Sequence, residues 1–351
     1  MSTHFALPWN GRIRFIVPRE VTAQQECWRV FRPGRLEFPL RAMALLPRFL
    51  GSVSCVETKK LTSIKETIGM ESWLSCRRAG TPGPWSKETI LLLNKKTTKP
   101  QYIVKAGTGE AVESLLRNEA NWLRTLRDQI SLVDSVPELV THYSGSDLSF
   151  VAECLLSGEV DYRFTDLHTA FLQKLQKFSR QTMRFEESRL CRNLRSRMKG
   201  LENQLSEMWL ARLQAGMQQI EQAFSGSANA FVSAHNDFTP WNIRVEHGIV
   251  KVFDWEYADH EQLPLFDPLH FALMPMALRR VSPSKMILKT YQTLQQCRQW
   301  FGESACHEAP GQALAYLMNL CTLYLWSVRG ATKSHPVLDR YGMIIDHLCL
   351  V

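Results

Sequence analysis

The chain lacks any run of about 18 apolar residues, so no membrane-spanning helix is expected. The first residues, MSTHFALPWNGRIRF, lack the charged-then-apolar layout of a secretory signal, and the expectation is a cytoplasmic protein. The nine cysteines include no CxxC pair and are scattered from Cys27 to Cys349, which suggests neither a zinc site nor a disulfide framework; buried thiols are the simplest reading. Repeats and low-complexity tracts are absent. Lysine and arginine are missing between Phe253 and Leu278, a stretch that holds Asp254, Glu256, Asp259, Glu261 and Asp267.

What is present is ordinary globular material: 351 residues, 45% hydrophobic and 22% charged, enough for two lobes. The net charge of +8 is uneven, with eight arginines against three glutamates in residues 1 to 50. Such a surplus suits anionic partners. There is no nucleic-acid motif and no sustained basic helix, so no nucleic-acid partner is expected.

The most informative stretch runs from Phe231 to Phe271. His235, Asp237 and Asn242 stand in the order H-x-D-x-x-x-x-N, and Asp254 follows twelve positions after Asn242. Ile243 and Val245 alternate with polar residues, His247-Gly248 is a tight-turn signal, and Val250, Val252 and Phe253 resume the apolar pattern. The resulting hairpin returns the chain beside its own start, bringing Asp254 back to the residues before it. A carboxylate for an attacking hydroxyl, with an amide and a second carboxylate for Mg²⁺, is what in-line transfer of a phosphoryl group to an alcohol requires.

Upstream, Trp73–Arg77 and Thr89–Leu93 read as strands, joined by a loop holding Gly80, Thr81, Gly83 and Ser86. The glycines let backbone lie close to a ligand, and the two hydroxyls and exposed amides suit phosphate oxygens. The next strand, Gln101–Lys105, puts Lys105 on the same face as Ile103, where a lysine needs a partner. Val112, Leu115, Leu116, Glu119, Leu123 and Leu126 then fall on one helical stripe, and a carboxylate inside that stripe is costly unless paired. Lys105 with Glu119 matches the ion pair of kinases, whose lysine also touches the α- and β-phosphates. Ser149–Leu156 reads as a further strand, broken at Ser157-Gly158.

These motifs together resemble the aminoglycoside phosphotransferase and choline kinase superfamily, small-molecule kinases with a protein-kinase-like fold. The resemblance covers about residues 71 to 330. It implies an α+β chain with an antiparallel-sheet N-lobe, about 71–153, and a mainly helical C-lobe, 154–351. Residues 1–70, outside the resemblance, read as an extension that packs on the N-lobe or binds a partner, the first preferred because its large apolar residues need burial. It implies Asp237 as catalytic base, Asn242 and Asp254 as metal ligands, and His235 as a structural, hydrogen-bonded member of the loop. Asn236 stands where the family usually has glycine, and asparagine is the next most tolerant residue of positive φ. Asp267 resembles the buried aspartate that braces the catalytic loop. Residues Glu153 to Leu155 correspond to the hinge whose backbone holds the adenine. The cofactors implied are ATP or GTP and Mg²⁺, and the acceptor is a small molecule with a hydroxyl: a sugar, an amino alcohol or an aminocyclitol.

A kinase-like binding protein without turnover is the alternative, which the intact Asp237, Asn242 and Asp254 argue against. A protein kinase finds no support, because no APE-type element follows Asp254. Elsewhere, IRFIVP and CWRVFRP read as short strands, and RAMALLPRFL makes at most a short helix. Trp28, Phe31, Phe38, Leu45 and Leu46 require burial. Residues 165 to 225 are helical by period, with an apolar face of Leu190, Leu194, Met198, Leu201 and Leu205 and an arginine-rich remainder that reads as a solvated face. The acidic residues Glu256, Asp259 and Glu261 read as a solvated loop or as a receiver of a cationic acceptor. Residues 282 to 350 carry three more helical patterns.

Overall fold

The computed structural model describes residues 4–9, 12–31, 53–55, 58–80, 82–328, 330 and 337–350. The chain divides into two compact units: residues 1–128 with 137–156, and residues 129–136 with 157–351.

The first unit is built on one eight-stranded antiparallel sheet. Its strands are β1 (His4–Trp9), β2 (Arg12–Pro18), β3 (Val53–Cys55), β4 (Leu74–Ala79), β5 (Glu88–Leu93), β6 (Pro100–Gly107), β7 (Leu139–Ser144) and β8 (Ser149–Cys154), in the order β3-β1-β2-β4-β5-β6-β8-β7. The first three strands thus extend the sheet from the amino-terminal segment. Strand β5 explains why its sequence is a continuous apolar run rather than an alternation: it is buried on both faces. Leu91 and Leu93 meet Phe15, Trp28 and Phe31, while Ile90 and Leu92 meet Leu61, Ile64, Val104 and Phe150.

Each face of the sheet carries a helix. Helix α1 (Val21–Phe31) corrects the sequence reading of CWRVFRP as a strand, whose last residues lie outside those described. Ala23, Gln24, Cys27, Trp28 and Phe31 are its buried positions, a helical stripe that a short window ending at Pro33 does not reveal. Trp28 and Phe31 are buried as expected, with the Trp28 ring edge-on to Phe15 at 5.2 Å. Phe38, Leu45, Leu46 and the RAMALLPRFL segment lie outside the described residues. Helix α2 (Lys59–Thr67) covers the other face through Leu61 and Ile64, and α3 (Glu110–Arg127) follows β6.

The second unit is mainly helical: α4 (Asp166–Phe178), α5 (Arg189–Leu201), α6 (Glu207–Ala223), α7 (Phe266–Leu278), α8 (Pro283–Phe301), α9 (Ala309–Ser327) and α10 (Leu338–Leu348). The three carboxy-terminal patterns are α8 to α10. The period over residues 165 to 225 is interrupted by β9 (Gln181–Arg184), which pairs with β10 (Ala228–Ala234); β13 (Asp259–Gln262) completes that three-stranded sheet. A single apolar core joins the helices, anchored by Trp209, Phe224, Phe266 and Tyr341. Each such side chain contributes roughly 1.5–3 kcal/mol. Leu190, Leu194 and Leu201 face this core, with Met198 and Leu205 packed at its margin.

Arg189, Arg192, Arg195 and Lys199 of α5 are exposed, the solvated face read from the sequence, while Arg197 is partly buried. Arg189 pairs with Asp259 at 3.3 Å, Arg195 with Glu221 at 2.8 Å, and Arg197 donates to the Asn319 side-chain oxygen at 2.8 Å. Among the described residues no helix is long and apolar enough to cross a membrane.

Candidate active site

The hairpin read from the sequence is present, with β11 (Ile243–Glu246) paired to β12 (Ile249–Val252). Its turn residues His247 and Gly248 have φ of 49° and 76°, the left-handed pair that suits the twist of a two-residue connection. The hairpin closes on itself where the Phe253 amide donates to the Asn242 carbonyl at 3.1 Å. Asp254, the next residue, is therefore fixed beside Asn242, in the left-handed conformation with φ 73° and ψ 57°. A non-glycine residue in that region carries local strain of the kind that concentrates at functional sites.

The loop before the hairpin is held from three sides. Asp267, at the start of α7, accepts the amides of His235 at 2.8 Å and Asn236 at 2.9 Å, one on each carboxylate oxygen. Burial pushes its carboxyl up to about 6, against the downward pull of those two amides. The His235 ring accepts the Asp237 amide on Nδ1 at 3.2 Å, which leaves Nε2 to donate to the Phe253 carbonyl at 3.0 Å. Complete burial lowers its pKa to about 4, so the ring is neutral and structural. Asn236 sits at φ 62°, the conformation its identity accommodates, and donates its side-chain amide to the Tyr257 carbonyl at 2.9 Å.

This bracing leaves Asp237 with both carboxylate oxygens engaged and about a quarter of its side chain exposed. Oδ2 accepts from the Asn242 side-chain amide at 2.7 Å, and Oδ1 lies 3.0 Å from Nε2 of His270. Asn242 spends its side-chain nitrogen on Asp237, which leaves its amide oxygen as an acceptor. An amide oxygen with the Asp254 carboxylate is an all-oxygen donor set, and that set fits Mg²⁺.

Sequence reasoning missed His270. It is buried, and its Nδ1 lies 3.2 Å from the Tyr316 hydroxyl, which lies 3.4 Å from that of Tyr341. A signal existed for the first link: Asp267 and His270 are three apart on one helix, so the two reach the same loop. Nothing local points to Tyr316 or Tyr341, which arrive from α9 and α10.

In the first unit, Lys105 and Glu119 form the expected ion pair, both buried. A second carboxylate joins them. Glu153, on β8, lies 3.7 Å from Lys105 and is 1% exposed, so its side chain serves this cluster as well. The amides of Cys154 and Leu155 are already donated, to the Glu138 and Gln101 carbonyls at 2.8 Å each. The Leu155 amide is thus not available to a ligand.

The loop between β4 and β5 has a tighter reason for Gly80 than ligand approach. A Cβ there would collide with the Lys87 backbone carbonyl, whereas one on Gly83 would meet open space. The Ser86 amide closes a turn onto the Gly83 carbonyl at 3.1 Å. Thr81 lies outside the described residues.

The acidic residues after Asp254 are not a solvated loop. Glu256 is buried, and Asp259 and Glu261 lie on β13 facing α5. Glu261 accepts the Arg189 amide at 2.6 Å, placing its charge at the amino-terminal end of α5 where the helix dipole favours it. These groups tie α5 to the small sheet.

An antiparallel-sheet unit carrying a buried lysine–glutamate pair, followed by a helical unit with a braced H-x-D-x-x-x-x-N loop and a following aspartate, defines a protein-kinase-like fold. Comparison with solved structures agrees. An aminoglycoside phosphotransferase APH(4)-Ia, in a ternary complex with ADP and hygromycin B, superposes with a TM-score of 0.57 at 11% identity over 84% of this chain and 98% of that one. Aminoglycoside phosphotransferase APH(2'')-Ib, bound to ADP, gives a TM-score of 0.51 at 13% identity over 83% and 97% of the two chains. No curated protein matches the sequence. The profile of the phosphotransferase enzyme family matches residues 81–268, more than half of the chain, and the chain belongs to that family.

Proposed function

We propose that this protein transfers the γ-phosphate of Mg-ATP to a hydroxyl of a small molecule: a sugar, an amino alcohol or an aminocyclitol. The observation that carries the reading is the state of Asp237: a partly exposed carboxylate oriented by Asn242 on one oxygen and His270 on the other, within a loop braced by Asp267. A carboxylate so fixed is preorganised to align an alcohol and take its proton as the oxygen attacks phosphorus.

Asn242 and Asp254 would hold Mg²⁺, which when bound neutralises charge on the transferring phosphate. Lys105, held by Glu119 and Glu153, neutralises the phosphates that are not transferred. In this reading the β4–β5 loop, with Gly80, Gly83 and Ser86, lies over the phosphates, and the strand end at Glu153 and Leu155 receives the base. ADP in two structural neighbours supports ATP as the donor.

The test is calorimetric titration of ATP with and without Mg²⁺, joined to transfer assays on an alcohol panel. Asp254→Ala is expected to abolish the Mg²⁺ dependence of ATP binding, and Lys105→Ala to raise the KM for ATP while leaving some turnover. Wild-type behaviour of either variant would contradict the assignment.

A further inference from the structure

A cavity of about 300 Å³ opens in the second unit beside the loop that carries Asp237. One wall is Pro240, three residues past Asp237, and another is Pro268 and Phe271, which flank the Asp267 and His270 that hold the loop. The far side is α8, and the segment just before α4 closes the rim. The cavity is thus walled in part by the chain neighbours of the residues that position Asp237.

Its chemistry is distinctive. Phe164 stacks on Trp300 with centroids 4.6 Å apart, and the edge of Phe271 meets Phe164 at 5.2 Å, so the cavity has a continuous aromatic wall. Arg163, Arg279 and Lys289 line it, and none of the described lining residues is acidic. Arg163 has Asp161 at 3.6 Å. Arg279 and Lys289 have no ion-pair partner among the described residues. Thr293 and Gln296 add neutral polar groups. Two cations without an ion-pair partner among the described residues, beside a flat apolar wall, repel a polycation and attract an anion. An aromatic face packs well against the C–H face of a pyranose, and the volume lies at the small end of ligand cavities.

We propose that this cavity is the acceptor subsite and that the acceptor is an anionic sugar, a single pyranose ring bearing a carboxylate or phosphate that Arg279 and Lys289 receive. The proposal rests on the phosphotransferase reading and narrows it, setting aside the aminocyclitols and amino alcohols.

The experiment uses the full chain in two arms. Binding is measured by calorimetry with D-glucuronate, glucose 1-phosphate, uncharged methyl glucoside and cationic glucosamine. Transfer from Mg-ATP is measured with the same four. Wild type is compared with Arg279→Glu/Lys289→Glu, with Trp300→Ala, and with Lys285→Glu as an exposed control on the same helix outside the cavity. Glucuronate or glucose 1-phosphate, or both, should bind and accept phosphate in preference to the other two sugars. The double reversal should raise their Kd and KM at least about tenfold, the loss of one charged hydrogen bond, with the KM for ATP unchanged. Trp300→Ala should weaken all ring ligands, and Lys285→Glu should match wild type.

Preference for glucosamine or methyl glucoside, or indifference of both anions to the double reversal, would overturn the anionic assignment while phosphate transfer stands. Binding of the anions that the double reversal abolishes, with no transfer to either, would overturn the acceptor role, and only the lack of transfer to every member of the wider alcohol panel would overturn the phosphotransferase reading. Failure of both anions to bind overturns the proposal outright.

Discussion

Replacing Asp267 by asparagine separates two costs that the wild-type carboxylate combines. Asp267 titrates near 6 in the folded protein against about 4 in an unfolded chain, a gap of about two units, or about 3 kcal/mol. The folded pKa is raised, so the native state binds the proton more tightly. That contribution is fully present below about pH 4 and is lost as pH rises through about 6. Asparagine does not ionise, and its variant lacks this slope. It instead turns an NH₂ toward one of the two backbone amides of His235 and Asn236, a steady cost of about 1–3 kcal/mol. Asp267→Asn is therefore less stable than wild type by about 1–3 kcal/mol at pH 4, and equal to it or more stable by up to about 2 kcal/mol at pH 8. Urea unfolding of both proteins at the two pH values measures the difference, in which other titrations cancel. A stability difference that is the same at pH 4 and pH 8 refutes the reasoning.

Removing the His270 donor in His270→Phe should lower kcat by roughly ten- to a hundredfold through a mispositioned Asp237, with the KM for ATP little changed. His270→Gln, whose amide can replace the Nε2 donation, should recover much of the loss in the same steady-state assay; equal kcat in the two variants contradicts a positioning role. At φ 62°, Asn236→Ala should cost about 1–2 kcal/mol in thermal unfolding. Asn236→Gly should cost less, although both lose the bond to Tyr257, and the reverse order would contradict left-handed strain as the cause.

Much of the apparatus was legible because its signals are local. The H-x-D-x-x-x-x-N spacing, the His247-Gly248 turn and the apolar return strand together place Asp254 beside Asn242, and the structure closes that hairpin with one backbone hydrogen bond. Lys105 and Glu119 were readable because each is a charge on an apolar face. Glu153 was read only for its backbone, since its strand is apolar on both sides and gives no sign of which face turns toward Lys105. Helix α1 was hidden because Cys27–Phe31 looks like a proline-stopped strand until Ala23 and Gln24 complete the stripe. The acidic run after Asp254 misled because its partners, Arg189 and Arg192, lie about seventy residues earlier in the chain. Tyr316 behind His270 is a tertiary contact of the same kind, beyond the reach of periodicity.

The most direct measurement is phosphorus NMR of the protein incubated with Mg-ATP and the alcohol panel, wild type beside Asp237→Ala. A new phosphomonoester resonance should grow with ADP in the wild type and vanish in the variant, while the variant still binds ATP. Equal product from both proteins, or ATP bound by the wild type with no phosphomonoester from any alcohol, would contradict Asp237 as the base of a phosphotransferase.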